Sequence, residues 1–171
     1  PNDDKLEAAL YFKGEDETTW KLIKDELEQP KYVFGTGTLP DSHYRIKVVV
    51  TDKPANYGPN ARQDELISDR FVIDNTAPEI GVIKATRKKD NPGVWTIAVT
   101  VEDGTSLIAD ARYNINGQDL KPLIPLDGLF DQRAEDLEFV TDKLEGEEHV
   151  LGLVITDREG NSAVGRAILR P

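Results

Sequence analysis

Residues 94–102 read Val-Trp-Thr-Ile-Ala-Val-Thr-Val-Glu, and this segment alternates large apolar side chains with polar or small ones. Successive side chains of a β-strand point to opposite faces of the sheet, so Trp95, Ile97, Val99 and Val101 would share one face. The period of two therefore predicts a half-buried strand.

Two further segments, Tyr44–Thr51 and His149–Thr156, show the same alternation. No long helical period competes with them, and Gly, Pro, Asp and Asn separate the apolar runs. The predicted fold class is all-β. In the second half of the chain we predict seven short strands, an arrangement typical of an antiparallel β-sandwich, near residues 80–86, 94–102, 108–116, 119–124, 136–140, 147–156 and 162–169.

The chain contains an internal repeat. A single shift of the sequence against itself pairs Phe34 with Phe139, Leu39 with Leu144, Thr51-Asp52 with Thr156-Asp157, and Asn56 with Asn161. A repeat length of roughly 100 residues suits tandem sandwich domains, whereas solenoid repeats are only about 20 to 50 residues long.

The boundary between the repeats is predicted at Asp74-Asn75-Thr76-Ala77-Pro78, which gives domains of residues 1–75 and 76–171. Gly14 matches Gly117, so the first domain is expected to lack the counterparts of its first two strands. Either these strands precede it in a longer parent protein or another chain supplies them. An incomplete sandwich exposes strand edges, so a strand-mediated dimer is one expected partner arrangement.

Three short motifs resemble immunoglobulin-like and fibronectin type III-like modules. Residues 39–52, with Tyr44 within them, resemble the corner and strand in which a tyrosine hydroxyl bonds back to the corner backbone. Residues 157–161, Asp-Arg-Glu-Gly-Asn, look like a hairpin turn common in bacterial immunoglobulin-like repeats, and residues 73–78 look like the junction between such repeats. The resemblance implies a secreted, cell-surface or periplasmic location in a larger bacterial protein.

Composition excludes several classes of function. The chain carries 21 basic and 32 acidic residues, a net charge of −11, which disfavours nucleic-acid binding because phosphates would be repelled. It has no cysteine, so disulfides and thiolate zinc sites are excluded. No apolar run is long enough for membrane insertion as a helix.

Catalytic signatures are weak in this sequence. A Ser-His-Asp type of site needs a histidine base, but the only histidines, His43 and His149, stand at predicted strand entrances and match no catalytic motif. We therefore expect that the protein is not an enzyme.

Calcium is the one cofactor that the sequence suggests, because Ca²⁺ takes oxygen ligands and acidic residues lie at the predicted strand ends. The boundary also resembles cadherin junctions in its sequence pattern Asp-Asn-x-x-Pro. The candidate ligands are Asp52, Asp74, Asn75, Asp103 and Asp157. The alternative interpretation is that these side chains cap their own turns without any metal.

The connection Lys53–Glu65 is rich in Pro, Asn and Gly and is the candidate surface for a protein or glycan ligand. Two functions remain open at this point. The first is a non-catalytic structural spacer or adhesion-type module attached to upstream domains of the same parent chain. The second is a carbohydrate- or protein-binding accessory module of an extracellular enzyme.

Overall fold

The computed structural model describes residues 4–170 and confirms an all-β, antiparallel fold. The chain divides into two compact units that meet between Ile73 and Asp74, two residues before the predicted boundary. The first unit contains β1 (Glu7–Gly14), β2 (Lys21–Leu27), β3 (Ser42–Thr51), β4 (Gln63–Ile67) and β5 (Phe71–Ile73), together with a short 3₁₀ helix at Gly58–Asn60.

The second unit contains eight strands. They are β6 (Glu79–Ile80), β7 (Lys84–Arg87), β8 (Trp95–Glu102), β9 (Ile108–Ile115), β10 (Lys121–Leu123), β11 (Ala134–Val140), β12 (His149–Asp157) and β13 (Ser162–Leu169). None of the helical structure between residues 4 and 170 is long and apolar enough to cross a membrane.

The second unit is a two-layer sandwich. One sheet has the order β10-β9-β12-β13, and the other has the order β11-β8-β6 with β7 also paired to β8. Alternate residues of β8 and β12 point between the sheets, where Ile97, Val101, Leu153 and Ile155 have no exposed surface. The alternation quoted from the sequence therefore marks the core of this unit.

The first unit forms one sheet, in the order β2-β1-β3-β4 with β5 also paired to β3. The sequence repeat relates β1, β2 and β3 to β9, β10 and β12 of the second unit. Residues 4–73 form no strand equivalent to β8 or β11. The repeat pairs Phe34 with Phe139 of β11, but the segment around Phe34 is not a strand. Apart from the buried Tyr44, the apolar residues of β1 and β3 are consequently only half-buried, as at Leu10, Ile46 and Val48.

The corner motif of the first unit forms the expected hydrogen bond. The hydroxyl of Tyr44, which is 4% exposed, donates to the carbonyl oxygen of Pro40 at 2.8 Å. In the second unit His149 takes the equivalent position, and its Nδ1 lies 3.0 Å from the side-chain nitrogen of Asn116 instead.

The predicted strand 80–86 is divided by a bulge. Glu79 pairs with Glu102 and Lys84 with Ala98, so one extra residue is inserted between β6 and β7 along the same edge of β8. Gly81 donates its N–H to the carbonyl oxygen of Thr100 at 3.0 Å, and Val82 turns outward with 81% of its surface exposed.

One further sequence expectation differs from the structure. The connection predicted as Lys53–Glu65 ends at Arg62, because Gln63 pairs with Thr51 and starts β4.

Candidate metal centre

Three aspartates of the second unit meet at one end of the sandwich. Asp103 follows the last residue of β8, Asp157 is the last residue of β12, and Asp74 begins the segment that leads into β6. Strands β8 and β12 belong to different sheets, so packing of the sheets brings their ends together. One carboxylate oxygen from each residue lies within 4.8 Å of the others.

All three side chains are shielded from solvent. Asp74 is 8% exposed, Asp103 is 3% exposed and Asp157 is 2% exposed. Aspartate is seldom buried to this extent unless a partner compensates its charge. The ion pairs recorded among residues 4–170 include none of these three carboxylates.

One oxygen of each aspartate holds its own loop. Asp103 Oδ1 accepts the N–H groups of Thr105 and Ser106 at 2.8 and 2.7 Å. Asp157 Oδ1 accepts the N–H of Asn161 at 2.8 Å, and Asp74 Oδ1 accepts the N–H of Thr76 at 3.1 Å. The turn-capping interpretation of the sequence is therefore correct for these atoms.

The second oxygens are bound differently. Asp157 Oδ2 accepts the side-chain amide of Asn161 at 2.8 Å. Asp74 Oδ2, Asp103 Oδ2 and the Ser106 hydroxyl oxygen are buried and make no hydrogen bond of good geometry with the described residues, although the Ser106 hydroxyl is close enough to Asp74 to stabilise its charged form. Capping thus leaves three buried oxygen atoms without a partner of good geometry.

Burial and mutual repulsion disfavour the state in which all three carboxylates are charged. Burial is the main cause that raises the pKa of Asp74, and the nearby charges of Asp103 and Asp157 raise it further. The Ser106 hydroxyl, which faces Asp74, and the Thr76 N–H lower this pKa and so oppose the rise. In general, two like charges about 4 Å apart repel by about 4 kcal/mol at an effective dielectric constant of 20.

The other two candidate ligands lie outside this cluster. Asn75 follows Asp74 in the chain, but its side chain is exposed. Asp52 belongs to the first unit, where its Oδ1 accepts the N–H of Arg62 at 2.6 Å and its Oδ2 accepts the Asn56 amide at 3.0 Å. Both Asp52 oxygens are therefore occupied by hydrogen bonds.

Ser106 was missed by the sequence reasoning, which considered only acidic residues and Asn75. Its position three residues after Asp103 was the available signal. An aspartate side chain often accepts the N–H groups two and three residues later, and this bond places Ser106 beside Asp103.

The two histidines make local contacts. His43 Nδ1 lies 3.3 Å from Glu15 Oε2 in the first unit, and His149 contacts Asn116 in the second. Neither residue belongs to the aspartate cluster.

Comparisons with known proteins provide no family for this chain. No protein-family model matches the sequence, and no curated protein is significantly similar to it. Functional inference therefore depends on the residues and their geometry.

Proposed function

We propose that the chain is a non-catalytic structural spacer or adhesion-type module of a larger extracellular bacterial protein. One observation carries the proposal: buried polar side chains at the strand ends bind the backbone of their own loops. Asp103 and Asp157 do so as described above. Glu135, which is 2% exposed, accepts the N–H groups of Asp131 and Gln132 at 3.1 and 2.9 Å.

Loops held in this way suit a module that keeps a fixed shape. A carboxylate that accepts two backbone N–H groups restricts the loop conformations available, whereas loops that close over a substrate need low local stability. Tandem repeats of such modules would separate or present neighbouring domains of the parent chain. The proposal includes a secreted, cell-surface or periplasmic location.

The second candidate is a carbohydrate- or protein-binding accessory module. It is favoured by Tyr57, whose side chain is 81% exposed in the connection between β3 and β4. Exposed tyrosines are enriched at recognition surfaces because the ring is large and rigid and carries a polar end.

One experiment separates the two functions. Wild-type chain, Tyr57→Ala and the control Val164→Ala are compared on glycan arrays and in pull-downs with extracellular protein fractions. Val164 is 78% exposed on the second unit, so its truncation removes a similarly exposed apolar group away from the connection. A spacer predicts background binding for all three proteins. Binding by wild type and Val164→Ala that Tyr57→Ala loses would replace the spacer with a binding module that uses this connection.

A further inference from the structure

Buried carboxylates in close proximity require either protons or a cation. Asp74, Asp103 and Asp157 each lie more than nine-tenths buried, with oxygens within 4.8 Å of one another. No arginine or lysine forms an ion pair with them within the described chain. Since lone buried charges are strongly disfavoured, the cluster needs a bound proton or a bound cation to compensate its charge.

Ser106 provides an independent observation. Its hydroxyl is not acidic, yet it is buried, faces Asp74 and makes no hydrogen bond of good geometry. Buried hydroxyls nearly always have a partner, so a hydroxyl without a hydrogen bond of good geometry, beside two carboxylate oxygens in the same situation, points to a site that a ligand could occupy. All of these atoms are oxygens, which is the donor set that hard divalent cations prefer.

We propose that Asp74, Asp103, Asp157 and the Ser106 hydroxyl form a binding site for one calcium ion in the second unit. Calcium–oxygen distances are about 2.3–2.6 Å, so two oxygens on opposite sides of one ion lie about 4.6–5.2 Å apart. Carboxylate oxygens within 4.8 Å of one another can therefore contact the same ion.

The donor set favours calcium over other common cations. Zinc prefers histidine nitrogen and cysteine sulfur, and the chain has no cysteine and no histidine in the cluster. Magnesium gives up its water shell reluctantly and usually keeps several waters, whereas this site offers several protein oxygens in a place with little solvent access.

A bound ion would connect three segments of the second unit. Asp74 lies where the chain enters the unit, Asp103 begins the loop between β8 and β9, and Asp157 begins the hairpin between β12 and β13. Asn161 already joins two of them, because its side-chain amide donates to Asp157 Oδ2 and to the Asp74 carbonyl oxygen at 3.0 Å. Calcium would add a charge-compensated link to the third segment.

The structure offers nearly isosteric variants that test the site. In Asp103→Asn and Asp74→Asn, Oδ1 still accepts the same backbone N–H groups, and only the unpartnered Oδ2 is replaced. Asp52→Asn is the matched control, because Asp52 occupies the repeat position of Asp157 and makes similar hydrogen bonds, to Arg62 and Asn56, but lies outside the aspartate cluster.

The full chain is titrated with calcium and with magnesium by isothermal calorimetry, and its thermal unfolding is followed in excess calcium and in chelator. We expect one calcium ion per chain, a dissociation constant of about 10⁻⁵–10⁻³ M and weaker magnesium binding. Calcium about tenfold above this constant should raise the melting temperature of the second unit by roughly 5–10 °C. Asp103→Asn and Asp74→Asn should each weaken binding by at least about tenfold, whereas Asp52→Asn should leave it unchanged.

The sign of the stability change distinguishes a metal ligand from a turn cap. In chelator, Asp103→Asn should melt at or above the wild-type temperature because one repelling charge is removed. In calcium it should melt below wild type. Wild-type chain that neither binds calcium nor gains thermal stability up to about 10 mM, a concentration above the weakest extracellular sites, would overturn the proposal. Equal calcium affinity in Asp103→Asn, or equal affinity for magnesium, would do so as well.

Discussion

Tyr44 and His149 show how one repeat position serves different local contacts. Tyr44 reaches back four residues to donate to the Pro40 carbonyl oxygen, and its burial raises the pKa of the phenol. At the equivalent position His149 contacts Asn116, the residue that follows β9. The corner of the second unit is therefore held by a different pair of side chains.

Removal of the Tyr44 hydroxyl should loosen the first unit. Tyr44→Phe keeps the ring packed and deletes only the bond to Pro40, so we expect a loss of about 0.5–1.5 kcal/mol of stability. The measurement is amide hydrogen exchange of residues 41–51, which should become faster. Tyr57→Phe is the control, because the Tyr57 side chain is 81% exposed. Similar exchange in both variants would show that the corner bond contributes nothing.

The connection that follows β11 depends on one glycine at the entrance to β8. Gly93 has φ +101°, and the Leu144 N–H donates to its carbonyl oxygen at 2.8 Å. A Cβ at Gly93 would lie 2.5 Å from the Leu144 carbonyl oxygen. This close approach holds the residues after β11 against the start of β8.

Gly93→Ala should therefore destabilise the second unit more than Gly128→Ala. Gly128 has a similar φ of +91°, but a Cβ there would meet no atom within 4 Å. Both variants include the left-handed backbone cost of about 1–2 kcal/mol, and Gly93→Ala should add about 1–3 kcal/mol for the backbone contact. Urea unfolding followed by circular dichroism measures the difference. Equal urea midpoints for the two variants would mean that the backbone around Gly93 relieves the contact without any loss of stability.

The strands were predictable from sequence because their signal is local. Alternation identified β3, β8 and β12, and in β8 and β12 alternate residues are buried. The bulge at Gly81 was not predictable, because it depends on pairing with Thr100. The aspartate cluster was only partly predictable: Asp52 and Asp157 have the same local turn contact with an asparagine four residues later, and only sheet packing distinguishes them.

At the scale of the whole molecule, the two units differ in how many apolar side chains they bury. The second unit has two sheets around a common core, and it includes most of the buried apolar residues recorded between residues 4 and 170. Among residues 4–73 of the first unit, Tyr44 and Ile73 are the buried apolar side chains, and the remaining apolar residues of the single sheet retain partial exposure. Burial of apolar area is the main favourable term in folding, so the first unit has the smaller source of stability.

This difference predicts that the first unit unfolds first and responds less to truncation. Ile155 on β12 is fully buried and Ile46 on the equivalent strand β3 is half-buried. Ile155→Ala should therefore cost about 2–5 kcal/mol in the second unit, whereas Ile46→Ala should cost about 1–2 kcal/mol in the first. Hydrogen exchange at increasing temperature reports each unit separately, and residues up to 73 should lose protection at the lower temperature. If both units lose protection together and the two substitutions cost the same, the apolar face of the first sheet must be covered in solution, and a second copy of the chain would then be sought by sedimentation.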